Sequence, residues 1–236
     1  SAAVEAVRSL EDDGRFNAGS GASLRLDGVT VEMDAAVMDS RGRLGVVMAV
    51  SDVKNPVLVA RAVSDTPHVA LAGQGATAFA RRLGLPAPHQ PSGFALERWR
   101  WWTGALKRRR LGEVPEAWRG FDLERHWKFP TPYGDVFQAM DTVGAVVRGP
   151  DGTFAVASST GGASPMLRGR VGDVPFVGCG FYAGEQGAVA VTGVGEEIVR
   201  RMLARGIYER LAAGVEPQAA CEEAVALFPQ QVAVGA

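Results

Sequence analysis

The chain has 236 residues, with 25 Lys and Arg against 26 Asp and Glu and a formal net charge of −1. That balance gives no global electrostatic reason to expect nucleic acid, and 47% hydrophobic residues exclude wholesale disorder. No apolar run reaches the roughly 18 residues of a membrane span, and the first residues do not read as a signal peptide. Cys179 and Cys221 are too few for a disulfide framework, lack metal-ligand spacing, and read as packed thiols. The expectation is a cytoplasmic α/β domain.

Residues 1–85 are rich in Gly, Ala and Val. SAAVEAVRSLEDD places Ala3, Val4, Val7 and Leu10 near helical spacing, so a helix is predicted there. The Gly-broken loop GRFNAGSGASL follows, then strand-like runs over Val29–Met33 and Leu44–Val50. Asn55-Pro56 marks a helix start, with VLVARAVSD as the helix. HVALAGQGATAFARRLG contains Gly73-x-Gly75-x-x-Ala78, superficially a dinucleotide-binding fingerprint. The chain offers no clear βαβ unit with an acidic residue in place about 20 residues on, so the segment reads as an ordinary strand–turn–helix junction.

Residues 86–137 differ from the rest. All five tryptophans (Trp99, Trp101, Trp102, Trp118 and Trp127), several prolines and the run KRRR lie there, in a connector with at most a short helix near 94–110. RWRWWTGALKRRR could stack on bases or sit at a membrane surface, or be a solvated helix with its tryptophans packed inward. A lid over a larger substrate is a further use for it.

From Asp141 the Gly-rich apolar pattern returns. TVGAVVRGPDGTFAVASS reads as a β-hairpin whose turn carries Pro150-Asp151-Gly152. AVAVTG reads as a strand running into one long helix, EEIVRRMLARGIYERLAAG, with Ile198, Val199, Met202 and Leu203 on one face. A last helix is predicted over Pro217–Leu227.

Three threonines close or open strands: Thr142, Thr160 in SSTGG, and Thr192 in VTGVGEE. Strand ends facing loops and helix N-termini are where α/β sheets place active sites. Arg170 and Asp173, in GRVGD, would suit a substrate with both a carboxylate and an amine. A threonine hydroxyl needs a base, and the three histidines (His68, His89 and His126) are poorly placed to serve. A cut before Thr142 would free an α-amino group of pKa roughly 7.7–8.0, which can deprotonate its own side chain.

These segments resemble the N-terminal-nucleophile (Ntn) hydrolases of the isoaspartyl peptidase/plant-type L-asparaginase family, whose relatives include aspartylglucosaminidase and taspase. The likeness covers residues 4–85 and 138–236 and rests on DTVGAVV, SSTGG, GRVGDVPFVGCGFYA and TGVGEE in order, with LEDDGRFNAGSGASL, MDAAVMD and KNPVLVARAVSDTPHVALAGQGA upstream. It implies a single domain over 1–236, built as a four-layer αββα sandwich. Self-cleavage of the Asp141–Thr142 bond would divide it into an α part, 1–141, and a β part, 142–236. Thr142 would be the nucleophile and Thr160 its orienting partner, with Asn17 nearby in the loop. The Thr192 hydroxyl and Gly193 N–H would form the oxyanion hole. Arg170 would hold the substrate α-carboxylate and Asp173 its α-amine, beside the Gly195 backbone. The carbonyls of Leu10, Glu11, Asp13, Phe16, Ala18 and Ser20 would bind a structural sodium ion, and no cofactor is implied for catalysis. The implied reaction is hydrolysis of L-asparagine or β-aspartyl dipeptides by a homodimer of cleaved αβ protomers. The alternatives are an aspartylglucosaminidase-like hydrolase and a non-catalytic protein on the same fold.

Overall fold

The structure, a computed structural model, describes residues 1–85, 90–107, 118, 142–229 and 232–236. Helix α1 (Ala2–Asp13) buries Ala3, Val4 and Val7 along one stripe and stops at Gly14, whose φ of +76° suits glycine. After a short 3-10 turn at Gly19–Gly21, strands β1 (Met33–Asp39) and β2 (Leu44–Val50) pair antiparallel. Helix α2 (Pro56–Val63) begins on a proline, which forfeits no helical hydrogen bond at that position. Its N-cap Asn55 makes no side-chain cap, and the buried Glu11 carboxylate of α1 accepts the Val57 N–H instead, at 3.0 Å. Strand β3 (Ala70–Ala72) lies parallel to β2 and runs directly into helix α3 (Gly73–Arg82), so the Gly73-x-Gly75 segment is the strand–turn–helix junction expected of it.

Helix α4 (Gly93–Lys107) is the connector helix, close to its predicted span. Trp99 donates its indole N–H to the Leu26 carbonyl at 3.1 Å and lays its ring on Gly28, where any Cβ would collide with it. Trp101 and Trp102 meet edge to face. Trp127 and the run 108–110 lie outside the described residues.

The hairpin is formed by β4 (Val143–Arg148) and β5 (Phe154–Thr160), and β5 also pairs with β1. The resulting five-stranded mixed sheet has the order β3-β2-β1-β5-β4. Side-chain alternation divides its two faces. Ala35, Val37, Val47 and Ala157 pack with α1 and α2, whereas Ala36, Val46 and Val156 pack with Phe181 and Ala183. The latter belong to a small antiparallel ribbon of β6 (Phe181–Gly184) and β7 (Gly187–Ala190). Strand β8 (Thr192–Gly193), helices α5 (Gly195–Arg201), α6 (Leu203–Ala212) and α7 (Pro217–Val225), and strand β9 (Val234–Gly235) complete the chain. Helix α6 packs on β6 and β7, and α7 packs on α6. Among the described residues no helix is long and apolar enough to cross a membrane.

Two expectations need correction. Val29–Met33 is not a strand: Asp27 Oδ1 accepts the N–H groups of Val29 and Thr30, which holds a turn and delays the strand to Met33. The single helix after β8 is broken at Met202, which adopts φ +49° and remains 54% exposed rather than joining the buried face. The break exposes the first N–H groups of α6, and the carbonyls of Gly178 and Cys179 accept those of Arg205 (2.8 Å) and Ala204 (3.1 Å).

Candidate active site

Register places the central residues. Asp34 of β1 lies opposite Thr160 of β5, and Val143 opposite Ser159, so Thr142 comes level with Thr160 at the same end of the sheet. Residues opposite one another share a face, here the one covered by the β6–β7 ribbon. The Thr142 and Thr160 hydroxyl oxygens are 3.1 Å apart, within hydrogen-bond reach. Thr160 Oγ1 also accepts the Gly162 N–H at 3.0 Å.

Asn17 holds the Gly161–Gly162 turn that follows Thr160. Its backbone carbonyl accepts the Gly161 N–H at 2.7 Å, and its side-chain amide donates to the Gly162 carbonyl. The amide oxygen accepts from the Ser23 N–H (3.0 Å) and the Ser23 hydroxyl (2.9 Å). Gly161 is required here, because a Cβ would lie 2.5 Å from Ala22 Cα and 2.6 Å from Asn17 Oδ1.

Arg170, Asp173 and Gly195 form the second cluster. A Cβ on Gly195 would stand 2.8 Å from Asp173 Oδ1 and 2.9 Å from Arg170 Nη2, so only glycine leaves room beside both charged groups. The Arg170 Nε and Nη2 donate to the two Glu196 oxygens, each at 3.0 Å. Asp173 is 4% exposed, and burial pushes its carboxyl up to about 6 against the pull of Arg170. Asp34 behaves alike: burial raises it to about 6, although it accepts the Ala49 N–H at 2.8 Å and feels the charges of Arg25 and Arg170. Oδ2 of each has no hydrogen-bond partner among the described residues. The fully buried Arg25 steadies the loop before Arg170, because its partner Glu32 (3.0 Å) also accepts the Gly169 N–H at 2.6 Å.

Thr192 and Gly193 sit on β8, held by β9 and two residues ahead of Gly195, and Gly193 takes φ +144°. They make no described hydrogen bond to Thr142, Arg170 or Asp173. Asp141 lies outside the described residues. Leu10, Glu11 and Asp13 belong to the last turn of α1 rather than to a loop; beyond it the carbonyls of Gly14 and Phe16 close on Gly21, and that of Glu11 closes on Gly19. The Ala18 carbonyl accepts the Gly21 N–H at 3.1 Å. Asp12 and Asp13 turn their side chains to Lys54 and Arg15, which leaves neutral backbone oxygens around the loop, a donor set suited to a hard cation. Among the described residues no cluster of His, Cys, Asp or Glu could hold a metal ion.

Of the residues singled out in the sequence, the structure brings Thr142 and Thr160 together, with Asn17 on the Gly161–Gly162 turn, and gathers Arg170, Asp173 and Gly195; Asp34, Ser23, Arg98 (whose Nη1 donates to Ser23 Oγ) and Glu196 lie among them and were not singled out as site residues. Asp34 carried a signal, being an acidic residue inside the otherwise apolar run MDAAVM. Ser23 and Arg98 carried none, because their meeting depends on where α4 docks.

Two threonine hydroxyls in contact at one strand end are compatible with a threonine nucleophile, whereas the Gly73-x-Gly75 junction shows no nucleotide-binding unit. The model of the family described as asparaginase matches residues 1–235, and the chain belongs to that family. It is 43% identical, over 94% of its length and 69% of the relative's, to the plant-type L-asparaginase of Pyrobaculum calidifontis. It is 39% identical to the isoaspartyl peptidase/L-asparaginase of Danio rerio, over 98% of this chain and 69% of that one. The isoaspartyl peptidase of Salmonella typhimurium is 40% identical over 94% of this chain and 67% of its own.

Proposed function

We propose that the chain is a self-cleaving threonine amidohydrolase acting on the β-amide of L-asparagine and on β-aspartyl dipeptides, as the names of its relatives suggest. The observation that carries this reading is the Thr142–Thr160 hydroxyl contact at the mouth of β4. Cleavage of the Asp141–Thr142 bond makes Thr142 an N-terminus, and its neutral α-amine takes the hydroxyl proton. Thr142 Oγ1 then bonds to the β-carbonyl carbon. The C–N bond breaks, and the leaving nitrogen departs as ammonia or an amino acid with that proton. Water hydrolyses the β-aspartyl ester, releases L-aspartate and restores the hydroxyl. The Thr192 hydroxyl and Gly193 N–H bind the oxyanion, each such donor contributing about 3 kcal/mol to the transition state.

Arg170 and Asp173 read the two charges of the amino-acid head group, and Gly195 leaves it room. The Glu11, Phe16 and neighbouring carbonyls would hold a sodium ion, which would stiffen the loop that carries Asn17. The contacts of α1 and α2 with one face of the sheet, of the β6–β7 ribbon with the other, and of α6 with the ribbon support a four-layer αββα arrangement within one domain. Division at residue 142 into α and β parts, and a homodimer of the cleaved protomers, belong to the same reading. Thr142→Ala tests it. Intact-mass spectrometry is expected to show an uncut chain with no asparaginase or β-aspartyl peptidase turnover, and a variant still cut before residue 142 overturns the mechanism.

A further inference from the structure

The connector helix reaches the nucleophile. Arg98 of α4 is 5% exposed, and its Nη1 donates to Ser23 Oγ at 2.7 Å. A guanidinium only donates. Ser23 Oγ therefore accepts from Arg98 and gives its own hydrogen to Asn17 Oδ1, which also takes the Ser23 N–H. With Oδ1 doubly engaged as an acceptor, the Asn17 amide has one orientation left, Nδ2–H towards the Gly162 carbonyl. The Gly162 N–H in turn donates to Thr160 Oγ1, 3.1 Å from Thr142 Oγ1. A donor-only group at the head of the relay thus sets the polarity of the links through Ser23 and Asn17, and α4 is docked independently by Trp99 on Leu26 and Gly28. Burial pushes the Arg98 pKa down to about 10, which leaves it charged at neutral pH, and charged donors make the stronger bonds.

We propose that Arg98 is a positioning residue for the nucleophile, acting from the connector helix through Ser23, Asn17 and Gly162 on Thr160; this rests on Thr142 being the nucleophile. The test compares Arg98→Met, Arg98→Lys, Ser23→Ala and the Arg98→Met/Ser23→Ala double variant, by self-cleavage rate and by kcat and KM for L-asparagine. Arg98→Met and Ser23→Ala are each expected to slow self-cleavage and kcat by about tenfold, with KM within about threefold of the parent. The double variant should be no slower than the slower single, because both break one relay. Lysine, also a donor-only cation, should recover most of kcat. Parental kcat in Arg98→Met or Ser23→Ala, effects that multiply, or a rise in KM matching the fall in kcat each overturn the proposal. Should Arg98→Met fail to fold, Ser23→Ala decides alone by the same criteria. Thr142→Ala run alongside separates the two readings: turnover retained there removes the nucleophile and this inference with it. A dead Thr142→Ala beside parental Arg98→Met and Ser23→Ala removes this inference only.

Discussion

The Nε–Nη2 edge of Arg170 is taken by Glu196, which fixes the plane of the guanidinium proposed to meet the substrate carboxylate. Glu196→Gln keeps the shape and removes the charge. The expected outcome is a KM for L-asparagine about three- to tenfold higher with kcat little changed, read by steady-state kinetics. Asp173 sets a pH limit of its own. Its carboxyl titrates near 6 because it is buried, and Arg170, Asp34 and Glu196 are the charges that act on it. It must be ionised to hold an ammonium group, so KM should rise as pH falls through about 6. Across the same range kcat should follow the α-amine, whose ordinary pKa is roughly 7.7–8.0. Asp173→Asn should abolish the KM step. That Arg170 and Asp173 lie together was legible in the sequence because they stand three residues apart in one Gly-rich loop. Glu196 was not, because a glutamate in the first turn of a helix is fully explained by the helix dipole.

At the scale of elements, helices with one apolar stripe announced themselves, as α1 and α2 did. Strand β1 did not. Its residues contact α2 on one face and the β6–β7 ribbon on the other, so MDAAVMD lacks the alternation that marks a half-buried strand. The break at Met202 was equally invisible, because the run of good helix formers continues across it and the cause lies in the distant loop at Gly178 and Cys179. Met202 holds a left-handed conformation that suits glycine, and its side chain is more than half exposed. Met202→Gly should therefore stabilise the chain by about 0.5–1 kcal/mol, seen as a Tm about 1–4 °C higher in thermal denaturation. Gly178→Ala, at φ +82° and against Arg205 Cβ, should act in the opposite direction.

At the scale of the whole molecule, three buried carboxyls among the described residues have raised values and act together on the pH dependence of stability. Burial raises Glu11 to about 7, and Asp34 and Asp173 to about 6, from ordinary values of 4.5 and 3.8. Between those limits the folded chain binds more protons than the unfolded one. The stability these groups contribute is therefore complete below about pH 4 and is lost as pH rises through 6 to 7. The exposed acids with lowered values, such as Asp13 and Asp65, pair with arginines in solvent and offset little of this. Urea denaturation should give a higher midpoint at pH 5 than at pH 7.5, while the affinity for L-asparagine changes in the opposite sense.

The β4–β5 ladder has a consequence far from the chemistry. Thr142 emerges on the ribbon face only because the register holds from the Arg148–Phe154 pair at the turn to the Val143–Ser159 pair beside the site. A slip of one residue would send every side chain of β4 to the opposite face and leave Thr160 without its partner. The Gly149–Thr153 turn keeps that count from about 20 Å away, through the Gly149 N–H to the Thr153 carbonyl at 2.7 Å and the Gly152 N–H to the Gly149 carbonyl at 3.0 Å. A surface turn distant from the site thereby acts as the ruler by which the sheet presents the hydroxyl proposed as the nucleophile.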